Sequence, residues 1–227
     1  MDLGGGQRAR SLGMQDDFTE DGVEEYAKSR YRKADQRYVH WREVNIVRSY
    51  LQRAAEYPGL ILDIPCGYGR FTPLLLEYGS GVIGSDQSLS MVGYMLKQLP
   101  HPHQKQWGVV GDAVKGMPFR AGAFAGVVSI RLFQHLHSPS EREAALAEFA
   151  RLTRNFVILS YYRRNALHTA QRRVRRWLKP TQTSIDMVTR SEFLDEIHNA
   201  GLECISEKAV LKGLHAHHFV LLRKLEV

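Results

Sequence analysis

The sequence predicts an α/β fold, a mostly parallel sheet with helices packed on both faces. Three observations predict it. Short apolar runs of strand length alternate with helical patterns from residue 60 onward. Runs such as Leu60-Ile-Leu62 and Phe124-Ala-Gly-Val-Val128 lack a polar alternate, as strands buried on both faces do. The first run also ends in an acid and a glycine turn, Asp63-Ile-Pro-Cys-Gly67-Tyr-Gly69-Arg70, ahead of a helical pattern.

The elements follow in order. Residues 1 to about 17 are glycine-rich and aperiodic, which predicts a disordered arm. From Glu20 to Tyr57, aromatic and aliphatic residues recur among charges, which predicts two helices breaking near Asp35 to His40 and stopped by Pro58-Gly59. Ile61 to Ile64 is the first strand, followed by a helix from about Arg70 to Tyr78. Val82 to Ser85 is a strand ending at Asp86, and Ser88 is placed to cap a helix running to about Leu99. Trp107 to Val110 and Phe124 to Ile130 are further strands. Ser138-Pro-Ser140 opens a helix, with Pro139 in the first turn and Glu141 and Glu143 where the helix dipole favours acids. Phe156 to Ser160 is a strand, and Ser191 caps a short helix from Glu192 to Ala200. Leu202 to Val210 and His217 to Leu222 alternate like antiparallel strands. No internal repeat or linker divides the chain after residue 57, so 58–227 reads as one domain.

The 227 residues suffice for one such domain with a sizeable core. No apolar run approaches the roughly 18 residues of a membrane span, and the N-terminus lacks the apolar centre of a signal peptide, so the expected location is the cytoplasm. Two cysteines, Cys66 and Cys204, make neither a disulfide framework nor a zinc site, and no metal is expected. The net charge of +7 sits in one place. Arg163, Arg164, Arg172, Arg173, Arg175, Arg176 and Lys179 occur without an intervening acid, and the remaining 24 basic residues balance the 24 acids. A local basic feature points to a local anionic partner.

A glycine turn opening a helix is a site for the polar groups of a nucleotide-like cofactor. Three acids fall at successive strand ends, where ligands of parallel sheets bind: Asp63, Asp86 and Asp112. A loop holding only pyrophosphate gains nothing from Asp63, whereas a ligand with an ammonium group can use it. Asp86 can accept both ribose hydroxyls, with Gln87 beside it. Asp112, next to Ala113, can accept the exocyclic amine of an adenine. The loop has no third glycine at the dinucleotide spacing. Together these positions suit an adenosine with a charged amino-acid tail.

Here the chain resembles the class I S-adenosylmethionine-dependent methyltransferases, in particular their broad small-molecule branch. The resemblance runs from about Leu60 to Val210. It rests on Leu62-Asp63-Ile-Pro-Cys-Gly67-Tyr-Gly69-Arg70, Gly84-Ser-Asp86-Gln-Ser88, Gly111-Asp112-Ala-Val-Lys-Gly-Met117-Pro-Phe119 and the segment Phe124 to Pro139. It implies a Rossmann-like three-layer α/β/α sandwich with a seven-stranded, mostly parallel sheet and an antiparallel C-terminal hairpin. It implies S-adenosylmethionine as cofactor, held by Asp63, Pro65, Cys66, Gly67, Gly69, Asp86, Gln87, Asp112, Ala113 and Arg131. One departure stands out. Pro65 replaces the first glycine of the motif and removes a backbone donor. Cys66 reads as a small buried turn residue.

The resemblance places the acceptor chemistry after the fourth and fifth strands. His135 is the candidate general base, Arg131 a candidate anchor for an anionic substrate, and Tyr161 and Tyr162 candidate pocket walls. Each has a structural alternative of comparable weight. Residues 18–57 correspond to a helical lid, with Tyr26, Tyr31 and Trp41 as aromatic candidates near a sulfonium. The basic insertion at about 163–190, through Arg172 and Arg176, suits an anionic lipid or glycan substrate or a membrane surface. RNA is the less favoured partner, because Arg131-Leu-Phe-Gln134 is not the Asn/Asp-Pro-Pro-aromatic motif of nucleobase amino methylation. The expected function is methyl transfer to oxygen of a small-molecule, lipid-linked or glycan-linked acceptor. The alternatives are an RNA methyltransferase and a non-catalytic cofactor-binding protein.

Overall fold

The structure, a computed structural model, describes residues 20–29, 33–98, 105–164, 186–211 and 216–225. The predicted arm and the centre of the basic insertion lie outside the described residues.

Among the described residues, seven strands form one sheet. They are β1 (Leu60–Asp63), β2 (Gly81–Asp86), β3 (Gln106–Val110), β4 (Phe124–Ser129), β5 (Thr153–Tyr162), β6 (Leu202–Ala209) and β7 (His217–Lys224). The order is β3-β2-β1-β4-β5-β7-β6, and β7 alone runs antiparallel to its neighbours. The chain steps from β1 outward to β2 and β3, then returns to the other side of β1 with β4. That reversal makes the carboxyl ends of β1 and β4 the switch point where such sheets bind ligands.

Alternate strand residues fill opposite layers, as the two-residue period requires. Leu62, Val127, Val157 and Leu159 belong to a core with Phe149 and Phe193, from α5 (Pro139–Leu152) and α6 (Arg190–Asn199). Ile61, Val128 and Ile158 pack on the other face with Val47, Tyr50 and Leu51 of α2 (Ala34–Arg53) and Leu74 and Leu75 of α3 (Thr72–Leu76). This is the three-layer sandwich the sequence predicts. A short α1 (Glu20–Ser29) packs on α4 (Leu89–Lys97).

Several local expectations hold in atomic terms. Ser88 Oγ accepts the Met91 N–H at the start of α4. Ser138 and Glu141 form a reciprocal capping box at α5. Two boundaries are corrected. The break between the N-terminal helices falls before Ala34, so Asp35 to His40 lie inside α2. That stretch contains no glycine or proline, and Asp35 suits the first turn of a helix that begins there. The cap of α6 is Thr189 rather than Ser191, because Thr189 pairs with Glu192 in the capping box and starts the helix at Arg190. The helix after β1 is also short, five residues, with Pro73 in its first turn.

Candidate cofactor and methyl-transfer site

The site begins with β1. Asp63 ends that strand and is 2% exposed. Its Oδ2 has no hydrogen-bond partner among the described residues. Burial pushes its carboxyl up to about 8, with Arg70 opposing the shift and Asp86 adding to it. A buried, unsatisfied acid is costly unless a cationic partner meets it.

The chain then turns through a cis Ile64–Pro65 bond. The Cys66 N–H donates to the Ser85 carbonyl at 2.8 Å, which ties the loop to β2. Cys66 is buried, and burial first, then Asp63 and Asp86, pushes its thiol far up. That makes it an inert filler rather than a nucleophile.

The two loop glycines have different reasons to be glycine. Both have positive φ, +52° at Gly67 and +85° at Gly69. A Cβ on Gly69 would lie 2.6 Å from Met95 Cγ, so this glycine lets α4 pack against the loop. A Cβ on Gly67 would meet nothing within 4 Å. Of the two loop glycines, only Gly67 has open space at its side-chain position.

Asp86 ends β2 beside that space. Its Oδ2 accepts the Gly67 N–H and its Oδ1 the Ser88 N–H, both at 3.0 Å. Burial raises its pKa, and the backbone donors Ser88, Gly67 and Gln87 oppose the rise. Each oxygen retains a lone pair for a further donor. Gln87 is exposed next to it. After β3, Asp112 Oδ1 accepts the Val114 N–H at 2.9 Å, and its Oδ2 lies 3.4 Å from Lys115 Nζ. Asp112 thus shapes its own turn, while Ala113 is buried beside it.

Arg131 follows β4 in a left-handed conformation, φ +69°, rare for a side chain of this size. Its N–H donates to Ser160 Oγ at 2.8 Å, and its guanidinium donates to Glu43 Oε1 at 2.7 Å. Glu43, on α2, was not a sequence candidate. It is fully buried and also takes Arg70 from the glycine loop and lies 3.2 Å from His217 Nδ1 at the start of β7. Burial would raise its pKa, but His217, Arg70 and Arg131 outweigh this and hold it far below the carboxylate range. No sequence spacing signals this cluster, since its members come from four separate elements.

The remaining candidates are placed as follows. His135 is exposed on a 3-10 turn, Phe133–His135, with its Nε2 at 3.0 Å from Gln134 Nε2. Tyr161 is buried, stacks on Phe193 at 3.8 Å between centroids and donates to Glu207 Oε1 at 2.7 Å, which is a packing position. Tyr162 stacks on His217 at 4.6 Å. Tyr26 meets Tyr68 of the glycine loop edge-on at 6.0 Å, so α1 lies over the loop. Trp41 is 56% exposed and paired with Tyr38. Tyr31, Arg172 and Arg176 lie outside the described residues. Among the described residues, no cluster of metal-ligand type occurs.

Residues 61–155 match the methyltransferase domain family. By structure, 91% of the chain superposes on all of a magnesium protoporphyrin IX methyltransferase (ChlM) from Synechocystis PCC 6803 with bound SAH, with a TM-score of 0.70 and 18% identity. Over residues 61–155 the chain is similar to the class I S-adenosylmethionine-dependent methyltransferases, and its fold is theirs. S-adenosylmethionine is the cofactor of that family.

Other relatives differ in what their names say they act on. A S-adenosylmethionine-dependent methyltransferase from Clostridium acetobutylicum ATCC 824 superposes with a TM-score of 0.67 at 9% identity, over 91% of this chain and 98% of that one. Over 84 residues, 36% of this chain, the sequence is 40% identical to the 18S rRNA (guanine-N(7))-methyltransferase bud23 of Schizosaccharomyces pombe. Over 95 residues, 42% of this chain, it is 34% identical to the tRNA (carboxymethyluridine(34)-5-O)-methyltransferase alkbh8 of Xenopus tropicalis. These matches span only 30% and 14% of the two relatives' lengths.

The residues at the strand ends fit the cofactor chemically. An orphaned buried carboxylate suits an ammonium group, and open space at Gly67 suits close approach. Pro65 supplies no N–H, and the next two N–H groups, those of Cys66 and Gly67, are engaged by Ser85 and Asp86.

Proposed function

We propose that the chain transfers a methyl group from S-adenosylmethionine to oxygen of a small-molecule, lipid-linked or glycan-linked acceptor. One observation carries the methyl-donor half: the buried Asp63 carboxylate, with an oxygen lacking a partner among the described residues, beside the open face of Gly67. In this reading Asp63 holds the ammonium group, Asp86 and Gln87 the ribose, and Asp112 and Ala113 the adenine end. Tyr26 and Tyr68 wall the loop from the α1 side. The cofactor supplies an electrophilic methyl carbon on a sulfonium. The chain's own contribution is chiefly orientation, which can supply roughly 7 to 11 kcal/mol in ideal cases.

The acceptor side lies beyond β4. An alcohol acceptor needs a base, and His135 is the exposed imidazole nearest in sequence to that strand end. Arg131 sits between β4 and the Glu43 cluster and would orient an anionic group on the acceptor. The basic run continuing from Arg163 and Arg164 would meet an anionic lipid, glycan or membrane surface.

A second reading is methylation of RNA. The names of the two curated relatives favour it, and the same basic run would neutralise phosphates.

Titration calorimetry with S-adenosylmethionine and S-adenosylhomocysteine tests the first half, and binding of both is expected. Absence of binding to either overturns the reading. Transfer of a labelled methyl group into fractionated small molecules, lipids, glycans and RNA tests the second half. Label confined to RNA would replace the primary acceptor reading with the second one.

A further inference from the structure

The Glu43 cluster shares a residue with the loop that follows Asp63. Arg70 is the link. Its guanidinium reaches Glu43 Oε2 and lies 3.2 Å from His40 Nδ1, both on α2, while its chain position is in the glycine loop. Arg70 lies seven residues after Asp63 in the chain, and its charge favours the ionised form of that carboxyl. An arginine in that position has two acids to choose from, and a bidentate pair with Asp63 would be a strong alternative. In the structure, Glu43 takes it. Glu43 can do so because its second oxygen is engaged by Arg131 and His217, which fix the carboxylate from two sides.

We propose that Glu43 is a positioning residue for the cofactor: by holding Arg70 on the α2 side, it keeps Asp63 open to the ammonium group of S-adenosylmethionine. This rests on the methyl-donor reading above. Arg70, whose charge acts on Asp63, would otherwise compete with the ligand's own cation for the acid. The cluster also explains why α2 carries a fully buried acid at all. An acid so buried is destabilising when alone, and its removal would leave two guanidinium groups to find new partners. The groups facing Asp63 in this account are Arg70, Asp86 and Cys66. Those facing Glu43 are Arg70, Arg131, His217 and, through Arg70, His40.

The test uses the full chain and two probes. One is S-adenosylmethionine. The other is methylthioadenosine, which keeps the adenosine and lacks the amino-acid tail. Glu43→Gln is expected to bind S-adenosylmethionine about tenfold or more weakly than wild type, the size expected for losing a charge-assisted contact. Methylthioadenosine affinity is expected to stay unchanged. The double variant Glu43→Gln/Arg70→Met is expected to recover most of the loss, since it removes the competing cation. Equal loss for both probes would mean a merely structural role and would overturn the proposal, as would unchanged S-adenosylmethionine affinity in Glu43→Gln or no recovery in the double variant. Wild-type protein that fails to bind S-adenosylmethionine would overturn the methyl-donor reading and this proposal together.

Discussion

At the residue scale, the site is a set of acids whose environments differ. Asp63 is buried and its carboxyl is pushed up to about 8, so the free folded chain holds a proton there that the unfolded chain releases near 3.8. Stability of the ligand-free protein should therefore fall as pH rises from about 4 to about 8, with the full penalty above that. Asp63→Asn removes the titration. Its melting temperature relative to wild type should rise across that pH range, and thermal melts at several pH values check this. Glu207 behaves in the opposite sense. Burial pushes it up, but hydrogen bonds from His218, Tyr161 and Arg190 outweigh burial and hold it at about 2. Its stabilisation is present above 4.5 and is lost as pH falls toward 2. Glu207→Gln should be less stable than wild type in urea at neutral pH, and the gap should close as pH is lowered through that window. The acids themselves were legible in the sequence because each ends an apolar run. Their states were not, because burial and partners depend on which elements pack around them.

At the element scale, two glycines of one loop and one helix start give separable effects. Gly69→Ala forces a Cβ to within 2.6 Å of Met95 on α4 and keeps a left-handed backbone, so it should cost roughly 2 to 4 kcal/mol in denaturant unfolding. Gly67→Ala meets open space and should cost only about 1 kcal/mol, while weakening cofactor binding more than Gly69→Ala does per unit of stability lost. The sequence marks both positions as glycines of one motif, and only the packing of α4 separates their roles. Thr189→Ala removes the capping box of α6 and should cost about 1 kcal/mol by the same measurement. Ser191, two residues on, is an equally good cap by residue type. The choice is made by Glu192, which sits three residues after Thr189 and only one after Ser191.

At the scale of the whole molecule, the strand order puts β1 beside β4 and brings distant segments to one sheet end. The strands were legible because central parallel strands are apolar throughout. The Glu43 cluster was not, because residues 43, 70, 131 and 217 share no spacing and meet only after the sheet is built. Net charge was also legible as a local feature, and its consequence is a prediction about partners. With a small or lipid-linked acceptor, the full chain should retain little RNA at low salt in a filter-binding assay. Strong retention that falls steeply with added salt would instead favour the RNA reading.

The central claim is that the carboxyl end of β1 holds S-adenosylmethionine through Asp63. Calorimetric titration of wild type and Asp63→Asn at pH 7.5 tests it most directly. Measurable binding to wild type is expected, with an affinity about tenfold or more lower for Asp63→Asn. Equal affinity of the two proteins would contradict it.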